Sequence, residues 1–232
     1  MKTLVAALAA AAVLGCGAVR PDLSSQAGPS PVVLKDTSAG QLAVFVIVDQ
    51  GGYNTASRDM TRIDILFQHG GRPVNFVAGE QVVCAGGTLT RFTGSFEGTF
   101  PSASIANRAM TCVYMSGPQS ASLSFHVPAR LVILSPREHQ QVPDGPHTIV
   151  TYSGEVDSTL LVGAISPSWK AFAQPEAITA TGATVDTTKL QSGEGTISLR
   201  QDYVQLKELK GPSFQSVRGR GGAITMIAVV WV

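Results

Sequence analysis

Short strand-like segments, separated by turns that contain Gly or Pro, constrain this chain more than any other feature. Residues 121–127 alternate strictly, with Leu123, Phe125 and Val127 on one side and polar side chains on the other. Such alternation predicts a β-strand that places one face on a hydrophobic core. No stretch of 10–15 residues repeats its apolar positions with a helical period, which argues against an α/β fold. The chain has 44% hydrophobic residues, 14% charged residues and 24 glycines, a composition that favours an all-β protein.

The strand-like segments fall into two groups that meet near residues 128–136. The first group ends at residues 127–130, and the second begins with the apolar run 131–134. Each group contains roughly six or seven short segments at the turn spacing of a β-sandwich. We therefore predict one sandwich domain at 41–128 and a second at 129–232. One merged sandwich is the alternative that this length permits.

Two local patterns resemble immunoglobulin-like domains. The apolar strand 131–134 is stopped by Ser135 and Pro136, which is similar to the first strand of many bacterial immunoglobulin-like domains. Residues 185–193 resemble the penultimate corner of such domains, where a Leu, here Leu190, enters the core and a Gly, here Gly193, turns the chain into the next strand. The usual Tyr of that corner is absent. The resemblance implies two antiparallel immunoglobulin-like β-sandwiches.

The N-terminal segment carries an export signal. Lys2 precedes an apolar run at 4–14, which is too short to cross a bilayer as a permanent helix. Residues 13–16, Val-Leu-Gly-Cys, resemble the lipobox of bacterial lipoproteins. The resemblance implies a signal peptide at 1–15, cleavage before Cys16, lipidation of Cys16, and an extracytoplasmic protein anchored to the bacterial membrane or cell surface. An ordinary secretory peptide cut near 10–12 is the alternative. The Pro- and Ser-rich residues 16–40 predict a flexible linker.

Two cysteines remain for the exported part. Cys84 and Cys112 form an even pair in an oxidising compartment, so we predict a disulfide between them. Its loop closure would add roughly 3–4 kcal/mol to stability. Two buried thiols or a metal pair are the alternatives. Cysteines this far apart in sequence without a nearby pair of histidines make a poor zinc site.

No catalytic motif points to an enzyme. The Gly-x-Ser-x-Gly, His-Glu-x-x-His and Walker patterns are absent, and the four histidines are dispersed. We expect no cofactor and no metal site. The 17 Lys and Arg residues face 16 Asp and Glu residues, and removal of Lys2 would equalise them. This balance gives no electrostatic reason to expect nucleic acid as a partner.

Two segments are candidate binding surfaces. Trp169 and Phe172 lie between prolines, where exposed rings would offer stacking platforms for carbohydrate; a role in the core is the alternative. The connection 203–222 is longer than most loops and is rich in basic residues. It would form either an exposed basic loop or two extended hairpin arms anchored by Phe214. The basic candidates in this connection are Lys207, Lys210, Arg218 and Arg220.

These features favour a non-catalytic, lipid-anchored cell-surface protein with a role in adhesion, in binding or as a spacer. Its partners would be the membrane, through the anchor at Cys16, and an unknown protein or glycan ligand. A carbohydrate-binding module is one alternative, supported if Trp169 is exposed. A hydrolase of unrecognised type is another, and it requires a pocket where a Ser or a carboxylate meets one of the histidines.

Overall fold

The computed structural model describes residues 30–33, 38–52, 58–156 and 160–232. The lipobox at 13–16, with Cys16, and most of the linker 16–40 lie outside these ranges. The described part is almost entirely β-structure, and most strand pairs are antiparallel. The predicted all-β class with antiparallel sheets is confirmed.

Eighteen strands are present in the described part. The strands before residue 128 are β1 (Val32–Val33), β2 (Ala43–Gln50), β3 (Met60–His69), β4 (Arg72–Asn75), β5 (Gln81–Cys84), β6 (Gly87–Thr88), β7 (Thr90–Phe92), β8 (Ser95–Pro101), β9 (Ala109–Ser116) and β10 (Gln119–His126). The strands after it are β11 (Val132–Ser135), β12 (Gln141–Val142), β13 (Thr148–Ser153), β14 (Leu160–Ile165), β15 (Lys170–Phe172), β16 (Gly182–Val185), β17 (Gly193–Gln205) and β18 (Ser216–Trp231). One helical turn, α1 (Ser102–Ile105), and two 3₁₀ turns, Ala39–Gln41 and Pro175–Ala177, complete the described elements.

One large sheet runs through both halves of the chain. Its order is β1-β4-β3-β2-β18-β17-β14-β15, with β8 and β7 added beside β3 and β12 added beside β18. A four-stranded sheet of order β10-β9-β5-β6 and a three-stranded sheet of order β11-β13-β16 pack on it. The alternation of side chains along β3 explains why a smaller sheet packs on one face of the large sheet. Ile63, Ile65 and Phe67 are buried, while the residues between them are half-buried.

Two hydrophobic clusters fill the space between the sheets. The first cluster joins buried residues of 42–127 with Leu206 and Phe214, and Phe67 lies at its centre. The Phe67 ring centroid is 5.1 Å from that of Tyr114 and 6.1 Å from that of Phe214. The second cluster contains buried residues of 131–231. We call the layers around the first cluster the first sandwich, and those around the second cluster the second sandwich.

The second sandwich has the strand order of an immunoglobulin domain. Strands β11, β13 and β16 form one sheet, while β12, β18, β17, β14 and β15 form the other. In chain order these are the A, B and E strands against the A′, G, F, C and C′ strands of that fold. At the predicted corner Leu190 is buried, and Gly193, with φ 126°, starts β17.

The long hairpin of β17 and β18 joins the two sandwiches. The second half of β18 pairs with β17 in the second sandwich, from Ala223 to Trp231. The first half, Ser216 to Ala223, pairs in parallel with β2 of the first sandwich. Connection 203–222 therefore forms extended hairpin arms, the second of the two alternatives. Phe214 anchors it with 7% of its surface exposed.

Side chains also hold the junction between the sandwiches. Arg130 donates from Nη1 to the carbonyl of Arg58 at 2.7 Å and from Nη2 to the carbonyl of Ile224 at 3.1 Å. Burial lowers the pKa of this guanidinium. Gln50 donates from Nε2 to the carbonyl of Pro128 at 2.9 Å. These bonds satisfy backbone carbonyls where the chain passes from one sandwich to the other.

Candidate functional site: the interdomain cleft and the predicted surfaces

A cleft of about 180 Å³, lined by both apolar and polar groups, lies at the junction of the two sandwiches. We call it the junction cleft. Its wall is built by a turn and a strand end of the first sandwich, the connecting segment, and a loop of the second sandwich. Strand β17 and the connection that follows it in the long hairpin complete the wall. The lining residues are Asn107, His126, Pro128, Ala129, Glu155, Gln201, Gln205, Lys207 and Glu208.

Hydrogen bonds hold the groups at the inner wall of the junction cleft. Gln201 is 5% exposed and donates from Nε2 to the carbonyl of Glu155 at 3.0 Å. His126 donates from Nε2 to Oδ1 of Asn107 at 3.1 Å. The carboxylate of Glu155 forms an ion pair with the ammonium group of Lys207. The cleft thus combines carboxamides, carboxylates, an imidazole and an ammonium group, and the pair of Glu155 and Lys207 is exposed to solvent.

Two residues at the mouth of the junction cleft have a left-handed backbone. Asn107 has φ 56° and Glu208 has φ 54°. Asn visits this region readily because its short side chain bonds locally, whereas Glu does so at a conformational cost. Backbone strain of this kind is often found at binding and active sites.

The junction cleft contains one of the four histidines on which the hydrolase alternative depends. His126 shares the cleft with Glu155 and Glu208, so a carboxylate and a histidine do meet in one pocket. Glu155, however, is paired with Lys207, and the described cleft residues include no Ser, Thr or Cys. His69 lies elsewhere, with Nδ1 at 3.2 Å from the carbonyl of Gln41. The cleft supplies hydrogen-bonding groups without an activated nucleophile.

Trp169 and Phe172 are both exposed, and each ring lies beside a different neighbour. Trp169 is 49% exposed, and the Nζ of Lys189 lies 5.7 Å from its ring centroid. Phe172 is 54% exposed and pairs with Gly163, where a side chain would collide with the Phe172 ring. The rings pack against different neighbours because Trp169 belongs to the turn before β15, whereas Phe172 lies within that strand.

The four basic candidates are spread over three environments. Lys207 lines the junction cleft, and the backbone of Lys210 exchanges two hydrogen bonds of 2.8 Å with Ser124. Arg218 is exposed on β18, and the guanidinium of Arg220 lies 5.6 Å from the ring centroid of Phe45. Both arginines occupy the outer face of the large sheet, so they do not form one patch with Lys207.

The predicted disulfide is present. Cys84 of β5 and Cys112 of β9 are bonded and stand opposite each other in the antiparallel register, with Cα atoms 4.2 Å apart. Both are fully buried in the first cluster. The bond ties the four-stranded sheet together beneath the aromatic residues around Phe67.

A charged cluster lies on the outer face of the first sandwich. Arg62 donates from Nη2 to Glu97 at 3.0 Å and lies 2.9 Å from Asp64 Oδ2. Burial is the main cause that raises the pKa of Asp64, and Arg62 opposes it. In the described residues no group of three or more His, Cys, Asp or Glu side chains is placed to hold a metal ion. The described ranges also contain no helix with the length and hydropathy of a membrane span.

Sequence reasoning missed the junction cleft because its residues come from five separate segments. No local motif links Asn107 with Gln201 or Glu155. The one sequence feature that pointed to the cleft was the long basic connection that contains Lys207. Its composition marked it as a candidate binding surface but did not predict where it lies in the fold.

Comparisons with known proteins identify no family. No protein-family model matches the chain, and no curated protein matches it. Among solved structures, titin A168169 is similar at 8% identity, with 84% of this chain and 98% of that chain covered and a TM-score of 0.25. A chimeric titin Z1Z2–Z1Z2 tandem carrying a GRGDS peptide from fibronectin gives 9% identity, the same coverage and the same TM-score. At this level of superposition neither structure informs the function of the chain.

Proposed function

We propose that this chain is a non-catalytic, lipid-anchored bacterial surface protein that acts as a stiff spacer and presents a binding surface. The observation that carries the proposal is the long hairpin: β18 pairs with β2 in one sandwich and with β17 in the other. Domains joined only by a linker usually move relative to each other. A shared sheet opposes such motion because bending there would break backbone hydrogen bonds.

The junction bonds support the spacer role. Arg130 donates to carbonyls on both sides of the junction, and Gln50 donates to Pro128. A Cβ at Gly51 would collide with the carbonyl of Ile224 and the guanidinium of Arg130, so the two segments approach closely there. Rotation of one sandwich relative to the other would break these hydrogen bonds and leave the polar groups unpaired, which is costly.

The spacer role can be tested by the distance between two spin labels. In a Cys16→Ala background, Ser122→Cys and Ser153→Cys place labels on exposed positions of the first and second sandwich. Ser122→Cys with Thr90→Cys keeps both labels within the first sandwich. This control pair gives the width of the distance distribution that is expected within one rigid body. We expect equal widths for the two pairs. A distribution several-fold broader for the first pair would rule out a stiff spacer.

The anchor is tested separately by metabolic labelling with a palmitate analogue in a bacterial host. Lipidation at Cys16 would give stable membrane attachment once more than one chain is present, since each buried methylene adds about 0.8 kcal/mol. We expect labelling of the wild type and none of the Cys16→Ala variant. Labelling that survives the substitution would refute the assignment of Cys16.

A carbohydrate-binding module is the second candidate, because Trp169 is half exposed rather than buried. A glycan array with the full chain and with Trp169→Ala tests it, and Phe172→Ala is the matched control on a separate surface. Binding that disappears only in Trp169→Ala would support this candidate. Equal binding by all three proteins would exclude Trp169 as the platform.

A further inference from the structure

We propose that the junction cleft binds a neutral polyhydroxylated ligand of the size of one sugar ring. The inference rests on the binding role proposed above and names a ligand class for it. It places the ligand between the sandwiches, away from both exposed aromatic rings.

The volume of the junction cleft limits the ligand to a small molecule. At about 180 Å³ the cleft is smaller than the roughly 300–1,000 Å³ of sites for drug-sized ligands. A single ring with its substituents fits such a space, whereas an extended oligosaccharide does not. A longer glycan would therefore enter through one terminal residue.

The side chains of the junction cleft match hydroxyl groups. Asn107, Gln201 and Gln205 each carry a donor and an acceptor, and the carboxylate of Glu208 accepts hydrogen bonds. A hydroxyl group both donates and accepts, so adjacent hydroxyls can satisfy such mixed groups in pairs. Pro128 and Ala129 add an apolar surface that suits the C–H groups of a ring. A purely apolar ligand would displace water from the carboxylate of Glu208 without replacing its hydrogen bonds, which is costly.

Charge favours a neutral ligand over an ion. The Glu155 carboxylate and the Lys207 ammonium group are paired, so each offsets the field of the other. An anionic ligand would approach Glu208 as well as Lys207, and a cationic ligand would approach Lys207 as well as Glu208. Either ion would therefore meet a group of like charge in the cleft, whereas a neutral hydroxylated ring can hydrogen-bond to both Lys207 and Glu208.

The junction cleft is held in shape before a ligand arrives. His126 donates its backbone N–H to the carbonyl of Lys207 at 2.9 Å, which ties the first sandwich to the connection between β17 and β18. Gln201 is fixed by the carbonyl of Glu155 across the second sandwich. A site whose walls are already ordered loses less entropy on binding.

The test is saturation-transfer NMR on the full chain, purified in a polyoxyethylene detergent that carries no sugar head group. Glucose, galactose, mannose and N-acetylglucosamine are the neutral probes, with glucuronate and glucosamine as charged ones. Each is offered at about 10 mM, where a ligand with a Kd of about 1 mM occupies most sites. We expect saturation of at least one neutral probe and weaker saturation of the charged ones.

Asn107→Gly with Glu208→Gly removes two polar groups from the junction cleft and suits the positive φ at both positions. This double variant should lose the signal at least fivefold, while Phe172→Ala keeps it. Thermal melting checks that each variant folds. The proposal fails if no neutral probe gives a stronger saturation-transfer signal with the wild type than with the double variant. It also fails if only the charged probes bind. Because Cys16→Ala should bind equally well, a failed anchor assignment and a failed cleft assignment give different results.

Discussion

Truncating Phe214 tests whether the long hairpin is an integral part of the first sandwich. The side chain is 7% exposed and belongs to the first cluster, with its ring 6.1 Å from that of Phe67. The next residue, Gln215, donates its backbone N–H to the carbonyl of Leu42 at 2.9 Å. Phe→Ala at a buried site costs about 3–5 kcal/mol, so Phe214→Ala should lower the free energy of unfolding by that amount.

Urea denaturation followed by far-UV circular dichroism measures this loss. With m of about 1–3 kcal/mol per M, the midpoint should fall by roughly 1–5 M. Both tryptophans, Trp169 and Trp231, belong to the second sandwich, so their fluorescence reports that sandwich alone. If the long hairpin couples the sandwiches, the fluorescence midpoint falls as well.

Phe172→Ala is the matched control, because Phe172 is 54% exposed and its removal should change stability by about 0.5 kcal/mol or less. A loss below about 1 kcal/mol in Phe214→Ala, or equal losses in the two variants, would refute the anchoring role of Phe214. An unchanged fluorescence midpoint would refute the coupling of the sandwiches through the hairpin.

Three further predictions concern the disulfide, a buried indole and a buried carboxylate. Cys84→Ala with Cys112→Ala should cost about 3–4 kcal/mol in urea denaturation, since the bond closes a loop across a sequence separation of 28; equal stability of the wild type with and without reductant would contradict this. Trp231→Phe removes the Nε1 bond of 3.0 Å to the carbonyl of Ile165 and should cost about 1–3 kcal/mol by circular dichroism, whereas an effect below about 0.5 kcal/mol would mean that the carbonyl is satisfied without it. Burial raises the pKa of Asp64, so the folded state binds more protons than the unfolded state, and the contribution of Asp64 to stability falls as pH rises from its unfolded pKa through its folded pKa. Asp64→Asn should remove that fall, which begins above about pH 4. Parallel profiles of unfolding free energy against pH for the two proteins would show the sign to be wrong.

The sequence predicts elements whose causes are local. The alternation at 121–127 becomes β10, Leu190 enters the core, and Cys84 meets Cys112 across two strands. Each of these depends on the side-chain period of a strand or on the even pair of cysteines that follows Cys16. These patterns predict strand identity and the buried face without any knowledge of strand partners.

The pairing of distant strands is not written in any local pattern. The apolar run at 42–48 fits a buried strand, yet nothing in it specifies a parallel partner at Ser216 to Ala223. The basic residues near Arg218 favour the prediction of an exposed loop for residues 216–223. In the structure this segment is part of β18, and Arg220 packs over Phe45. Parallel neighbours are chosen by tertiary packing, and so is a cleft assembled from separate segments.

The parallel pair of β2 and β18 also has a consequence for biogenesis. Synthesis from the N-terminus completes β2 long before β18, so the first sandwich lacks one strand until β18 has been made. Contacts this distant in sequence form late and slow the completion of the fold. Until then the unpaired edge of β2 and the apolar pocket for Phe214 are open to chaperones and to wrong partners. We expect truncation before Ser216 to yield an aggregation-prone N-terminal half rather than a stable domain.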